Sequence, residues 1–236
     1  MRQPRNTAIV IPVYNHADQV APVVRSCVAT GLPTIVVNDG SDDRTGAVLA
    51  RLNGFTLLVH EGNRGKGAAL LTGFAEAVRL GCRVVITIDG DGQHVPEDLH
   101  HLVAAAEGHH PCMVIGTRLR MEAASNVPWT SRFGRVFSNF WVRAAGGPTT
   151  ADSQSGFRLY PLPQTLHLGV RARRYQFEVE VLVRARWHDI PVLEVPVRVV
   201  YPEQRVSHFH PWRDFWRNSS TFAGLFFANL FRGRRI

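Results

Sequence analysis

Short apolar runs alternate with amphipathic stretches along the first half of the chain. Thr7–Val13 (TAIVIPV) is apolar and β-branched, which predicts a strand buried on both faces. Asp18–Thr30 puts Val20, Val23, Val24, Cys27 and Val28 on one helical face and meets Gly31 as a stop. Thr34–Val37 is a second strand, closed by Asn38-Asp39-Gly40-Ser41-Asp42-Asp43, and a helix follows through Leu52. Carboxylates open that helix, where its dipole favours them. Phe55–Val59 is a third strand, and Gly62-Asn63-Arg64-Gly65-Lys66-Gly67 leads into a helix over Ala68–Leu80. Arg83–Ile88 is the central strand, Pro96–Ala106 a helix with Pro in its first turn, and Met113–Ile115 a fifth strand. This alternation predicts an α/β fold, a mostly parallel sheet flanked by helices.

Beyond residue 118 the rhythm loosens. Leu119–Pro128 reads as a loop, Thr130–Ala145 as a helix broken by Gly146-Gly147-Pro148, Gln154–Tyr160 as partly extended, Tyr175–Trp187 as a helix and Pro191–Tyr201 as a strand. No repeat or low-complexity linker separates the halves, so both are expected to share one sheet. Trp212–Leu230 spaces Trp212, Phe215, Trp216, Phe222, Phe226 and Leu230 helically, with Arg232, Arg234 and Arg235 close behind. This band is too short to span a bilayer. It suits a helix lying in a membrane interface, or one docked on the domain's own core. The expected division is a domain over 1–205 and an amphipathic ending over 206–236.

Composition narrows the partners. At 236 residues, with 45% hydrophobic and 19% charged positions, one domain with a sizeable core is expected. The formal net charge of +8 points to acidic partners: nucleic acid, anionic lipid or phosphorylated substrates. Cys27, Cys82 and Cys112 are far apart in apolar contexts and read as small buried side chains. The polar opening Met1–Thr7 is not a signal peptide. The expected location is cytoplasmic, peripheral on the inner face of the membrane.

The chemistry concentrates where Val84–Ile88 ends in Asp89-Gly90-Asp91-Gly92-Gln93-His94. In an open α/β sheet, ligands bind at the carboxyl ends of strands. Two aspartates one glycine apart repel unless a positive charge lies beside them. A hard divalent cation with a phosphate-bearing ligand meets that need, since Mg²⁺ takes one or two carboxylates plus substrate phosphates. Asp91 is the expected direct ligand, Asp89 a ribose or metal-water contact, and Gln93 a third oxygen; the structural alternative is a pair of capping aspartates. A hard site prefers oxygen, which leaves His94 a turn residue. Asp39 either accepts from a nucleotide base or caps its β–α turn. The glycine run at 62–67 lacks the Ser or Thr of a Walker loop, so only a weaker reading stands: Arg64 and Lys66 at a helix N-terminus, facing phosphate, a base or solvent. Asp152, within Asp152-Ser153-Gln154-Ser155-Gly156-Phe157-Arg158, is a general-base or acceptor-positioning candidate. Arg118, Arg132 and Arg135, with Ser138 and Asn139, offer an anionic acceptor guanidinium forks and hydroxyl or amide contacts. Glu178 and Glu180 lie two apart, so at most one faces inward. Arg205, Ser207 and His208 are lid candidates.

Taken in order, Ile11-Pro12-Val13-Tyr14-Asn15, Val37–Asp43, Asn63–Gly67, Asp89–His94 and Ser155–Arg158 resemble the family-2 glycosyltransferases of GT-A fold, in particular the dolichyl- or polyprenyl-phosphate mannosyltransferase-like subgroup. The resemblance spans roughly residues 7–205. It implies inverting transfer from a nucleotide-diphosphate sugar to a lipid-linked acceptor, a polyprenyl phosphate or a lipid hydroxyl. Pro12, Tyr14 and Asp39 would line the base and ribose pocket, and Asp89, Asp91 and Gln93 would match the Mg²⁺ or Mn²⁺ and diphosphate site. Asp152 would match the acceptor-side carboxylate, and Arg118, Arg132 and Ser138 the acceptor-phosphate contacts. The chain departs from the family pattern at His16, usually acidic, and at Ser207-His208, usually Ser-Lys. Two other readings compete: a sugar-nucleotide nucleotidyltransferase, which lacks its Gly-rich N-terminal loop here, and a non-enzymatic basic membrane- or nucleic-acid-binding protein. Aromatic and basic residues do not interleave within the domain, so no nucleic-acid partner is expected.

Overall fold

The computed structural model describes residues 6–118, 129–200 and 223–230; of 129–134 it describes the backbone alone. β1 (Thr7–Val13) is central and fully buried. β2 (Thr34–Asn38) and β4 (Val84–Thr87) pair with it in parallel, and β3 (Thr56–Val59) pairs with β2. On the far side, β6 (Arg158–Pro161) runs antiparallel between β4 and β5 (Met113–Thr117), and β7 (Val192–Pro196) runs parallel to β5. The seven-stranded order is β3-β2-β1-β4-β6-β5-β7. Chain order reverses between β1 and β4, which opens a crevice at their carboxyl ends.

The alternation along β1 builds both layers of core. Ala8 and Val10 face one side with Phe74, Tyr160 and Phe177. Ile9, Ile11 and Val13 face the other with Val20, Val24, Leu102 and Ile86. The first layer is covered by α3 (Lys66–Arg79) and α7 (Phe177–Trp187), the second by α1 (Val20–Ala29) and α4 (Leu99–Ala106). The three cysteines are free and buried, as expected. α5 (Trp129–Ala144) lies against α7 through Val142, Val179 and Val183. Residues 223–230 form a further helix whose Leu225 joins that cluster. Asn229 sits against Gly146, where an added Cβ would come within 2.7 Å of it.

Several boundaries differ from expectation. α2 (Thr45–Leu49) ends before Leu52, because the next N–H groups reach back only three residues, Arg51 to Val48 and Leu52 to Leu49. The expected helix at Pro96–Ala106 opens as a 3₁₀ turn over Pro96–Asp98. A short helix, α6 (Gln164–His167), was not anticipated. β7 stops at Pro196, level with the end of β5, and residues 197–200 leave the sheet for the 93–98 loop. Most of the aromatic stretch Trp212–Leu230 lies outside the described residues, as do Arg205, Ser207 and His208. No helix among the described residues is long and apolar enough to cross a membrane.

Candidate functional site

The tips of β1, β2 and β4 share one end of the sheet. Past Pro12, Tyr14 and Asn15 turn the chain, with Asn15 at φ 55°. Asn15 N–H donates to Ser41 Oγ at 3.0 Å and its Nδ2 to Asp42 Oδ1 at 2.6 Å; Asp42 N–H returns a bond to Asn15 Oδ1. The loops after β1 and β2 are thereby interlocked. Asp39 is buried and works as an anchor. Its carboxylate accepts from Arg64 N–H at 3.0 Å and Gly65 N–H at 2.7 Å, and His60 Nδ1 lies 2.6 Å away. His60 Nε2 in turn meets Thr72 Oγ1 at 3.0 Å. These three partners take most of the four acceptor positions of a carboxylate, so Asp39 chiefly fixes the 62–67 loop. Gly65 is required there: its φ is +100°, and a Cβ would fall 2.5 Å from the Arg173 carbonyl.

That loop delivers Lys66 to the β4 tip. Its Nζ lies 2.7 Å from Asp89 Oδ1 and 2.6 Å from Glu178 Oε1. Burial opposes the ammonium charge, but the two carboxylates outweigh it and raise Lys66 above its ordinary range. Burial would likewise raise Asp89, yet the Lys66 charge holds it below the usual carboxylate range. The expectation that at most one of Glu178 and Glu180 faces inward does not hold: both are buried, each satisfied by a cation, and Glu178 is the one that reaches the site. Glu180 is also buried and binds the Arg171 and Ala172 N–H groups and Arg184 instead. Among the described residues no cation pairs directly with Asp91; burial first, and the Asp89 charge second, push its carboxyl up to about 6. Gln93 N–H donates to Asp91 Oδ1 at 3.0 Å. Gly156 packs on Asp89 so closely that a Cβ would meet Oδ2 at 2.2 Å. His94, expected in the turn, is buried in a bridge to Val199 with its ring 5.2 Å from Phe157, and burial pushes it down to about 4.

On the side expected to face the acceptor, Arg118 forks onto Asp152, Nε to Oδ2 at 2.6 Å and Nη2 to Oδ1 at 2.8 Å. Burial alone would raise Asp152, but the Arg118 bonds and charge bring it below the usual carboxylate range. A carboxylate so held is a weak proton acceptor and a firm positioner. Ser138 is buried and accepts from Ser153 Oγ at 2.8 Å, while Asn139 receives Ser153 N–H and donates to the Ala151 carbonyl. α5 thus braces the loop that carries Asp152. The Arg132 side chain and Arg205 lie outside the described residues. Sequence reasoning missed the buried Arg158. Its guanidinium donates to the carbonyls of Ser153, Ser155 and Glu178 and ties the Asp152 loop to α7.

The family model for glycosyl transferase family 2 matches residues 8–162, more than half of the chain. The chain belongs to this family. It is 29% identical over 219 residues to the UDP-N-acetylglucosamine–dolichyl-phosphate N-acetylglucosaminyltransferase of Methanococcus voltae, covering 84% of this chain and 87% of that protein. It is 30% identical over 219 residues to the polyprenol monophosphomannose synthase of Mycolicibacterium smegmatis, covering 88% and 82%. Among solved structures, glucosyl-3-phosphoglycerate synthase from Mycobacterium tuberculosis, in complex with Mn²⁺, UDP and phosphoglyceric acid, superposes with a TM-score of 0.66. At 17% identity, over 96% of this chain and 78% of that one, the likeness is one of fold. The chain is a family-2 glycosyltransferase of GT-A fold.

The donor set of this glycosyltransferase fits a hard cation. Asp91 is a carboxylate with no ammonium paired to it among the described residues, beside a second carboxylate whose Oδ1 is already on Lys66. Among the described residues no three His, Cys, Asp or Glu side chains form a ready-made cage. One or two carboxylates completed by substrate phosphates is how Mg²⁺ is usually held, and Mn²⁺ suits the same oxygen ligands. Asp91 would hold the ion, with Asp89 as the second carboxylate of the turn.

Proposed function

We propose that this enzyme transfers a sugar, with inversion, from a nucleotide-diphosphate sugar to a lipid-linked phosphate of the polyprenyl phosphate class, at the inner face of the cytoplasmic membrane. The observation that carries the reading is the unequal pair at the β4 tip, Asp89 neutralised by Lys66 and Asp91 left for a cation. The named substrates of the Methanococcus and Mycolicibacterium relatives support the acceptor class. A divalent cation, when bound, supplies positive charge against the departing nucleoside diphosphate. Lys66 adds a fixed ammonium at the same place. The Asp39-anchored loop and Pro12 and Tyr14 shape the donor side. Arg118, held in plane by Asp152, places a guanidinium charge on the side of an anionic acceptor, with Arg132 a further candidate there and Arg205 a candidate lid over the diphosphate.

A phosphate acceptor is already anionic and needs no base. The lowered carboxyl of Asp152 favours this acceptor over a lipid hydroxyl, which would need Asp152 to take a proton. The test is a thermal-shift screen of UDP-, GDP- and dTDP-sugars with and without Mn²⁺, followed by transfer of the stabilising sugar onto a polyprenyl phosphate. Stabilisation that requires Mn²⁺, and a product that forms on the lipid phosphate, are expected. Pyrophosphate release from a nucleoside triphosphate and a sugar phosphate would instead support a nucleotidyltransferase.

A further inference from the structure

Asp98 is buried, five residues beyond Gln93, and the described hydrogen bonds to its carboxylate all come from one residue on a distant segment. Arg198 N–H donates to Oδ2 at 2.7 Å; Arg198 Nε and Nη2 donate to Oδ1 at 2.9 and 2.7 Å. The Asp98 side chain is 3% exposed, whereas that of Arg198 is 65% exposed. A buried carboxylate satisfied by an arginine from outside is a lock on that arginine's backbone.

The locked backbone is the strap at 197–200, which leaves β7 and crosses the β4 loop. Val197 N–H is still held by the Thr117 carbonyl at 3.0 Å. Val199 then forms an antiparallel bridge with His94. Val200 N–H donates to the Gln93 carbonyl at 2.9 Å. The same Gln93 donates its own N–H to Asp91 Oδ1. A continuous path therefore runs from Asp98 and Arg198, through the strap and the Gln93 peptide, to the carboxylate left for the cation. The other flank of this loop offers less support: Asp91, Gly92, His94 and Glu97 line a cavity of about 410 Å³ whose far wall is α1.

We propose that Arg198 and Asp98 are positioning residues that set the orientation of the Asp91 carboxylate through the strap. The role rests on Asp91 taking a metal–diphosphate, as argued above. Partners one step removed from a metal ligand typically change metal affinity by about 10–100-fold when removed. Here the removed contact is two hydrogen bonds from Asp91, which places the expected effect near the lower end.

The experiment is calorimetric titration of Mn²⁺ with UDP, GDP or dTDP, run well below each variant's Tm, on the whole chain. Arg198→Ala should bind Mn²⁺–nucleotide about tenfold more weakly, and Arg198→Lys should recover part of the loss. Val200→Pro removes the N–H that reaches Gln93, and also restricts the backbone at 199 and 200, at a side chain 55% exposed. It should weaken binding with little change in Tm, and it decides the matter should Arg198→Ala fail to fold. Wild-type affinity in Val200→Pro, or in Arg198→Ala with only its Tm lowered, would reduce the strap to a fold contact and overturn the proposal. If the wild-type chain binds none of the nucleotides in a Mn²⁺-dependent way, the donor-site reading falls, and the strap's role falls with it.

Discussion

Lys66 holds one positive charge between two carboxylates, so its removal is felt at both, and at Asp91 beside them. Lys66→Ala leaves Asp89, Glu178 and Asp91 mutually repelling in a half-buried space. Breaking a buried pair from one side costs about 3–5 kcal/mol; the partial exposure of Lys66 puts the expected loss near 3 kcal/mol. In urea unfolding, Lys66→Ala/Glu178→Gln should recover part of that loss, because the double variant removes one of the stranded charges. Purely additive losses would mean that Lys66 and Glu178 do not interact. Asp152 is the second residue whose charge decides chemistry. As a positioner of Arg118, Asp152→Asn should keep kcat within a few-fold and raise KM for the acceptor. As a general base, its loss would lower kcat by about 10²–10⁴. Steady-state kinetics with varied acceptor separates the two.

The elements legible from the sequence were those whose pattern is local. β1, β2 and β4, with α1 and α3, follow from continuous apolar runs and helical spacing, and the Asp-Gly-Asp turn follows from the end of one such run. What was not legible depends on pairs far apart in the chain. The antiparallel insertion of β6 between β4 and β5 is fixed by ladder partners some seventy residues from β4, Thr87 with Arg158 among them. The same holds for the buried His60 behind Asp39 and for the Asp98–Arg198 lock; each residue alone reads as a surface polar position. The lock has a pH signature of its own. Burial would raise Asp98, but the Arg198 bonds and charge lower its carboxyl below the usual range. A carboxyl depressed in the folded state stabilises above its unfolded value, near pH 4, and that contribution is lost as pH falls through the lower, folded value. Asp98→Asn should therefore be less stable than wild type at pH 7 by about 1–2 kcal/mol, a Tm difference of several degrees. The gap should close as the pH is taken well below 4 in matched thermal melts. A gap that persists undiminished would place the stabilisation in shape, not charge.

At the scale of the molecule, the proposed lipid acceptor needs the active end brought to a bilayer, and the helix at 223–230 suggests how. Its inward residue, Leu225, is buried with Val142 and Val183, whereas Phe227 and Leu230 are 57% and 52% exposed. On α5, whose inner side braces the Asp152 loop, Val136 and Phe140 are also exposed. Apolar side chains on two adjacent helices, in a chain of net charge +8, have the chemistry of an interfacial face on anionic lipid. Burial of a Phe or Leu in the acyl boundary is worth about 1.5–3 kcal/mol at most. Phe227→Ser/Leu230→Ser should then lower co-sedimentation with phosphatidylglycerol vesicles by about tenfold or more, with an unchanged Tm because neither residue supports the core. Leu225→Ser should do the reverse, lowering Tm through the Val142 cluster while the outward face keeps its chemistry. Wild-type binding should also be stronger to anionic than to neutral vesicles and should fall as salt rises, since a Debye length of about 10 Å at 0.1 M shrinks to about 3 Å at 1 M. If the outward double variant sediments like the wild type, Phe227 and Leu230 make no bilayer contact, and the interfacial reading of this helix falls.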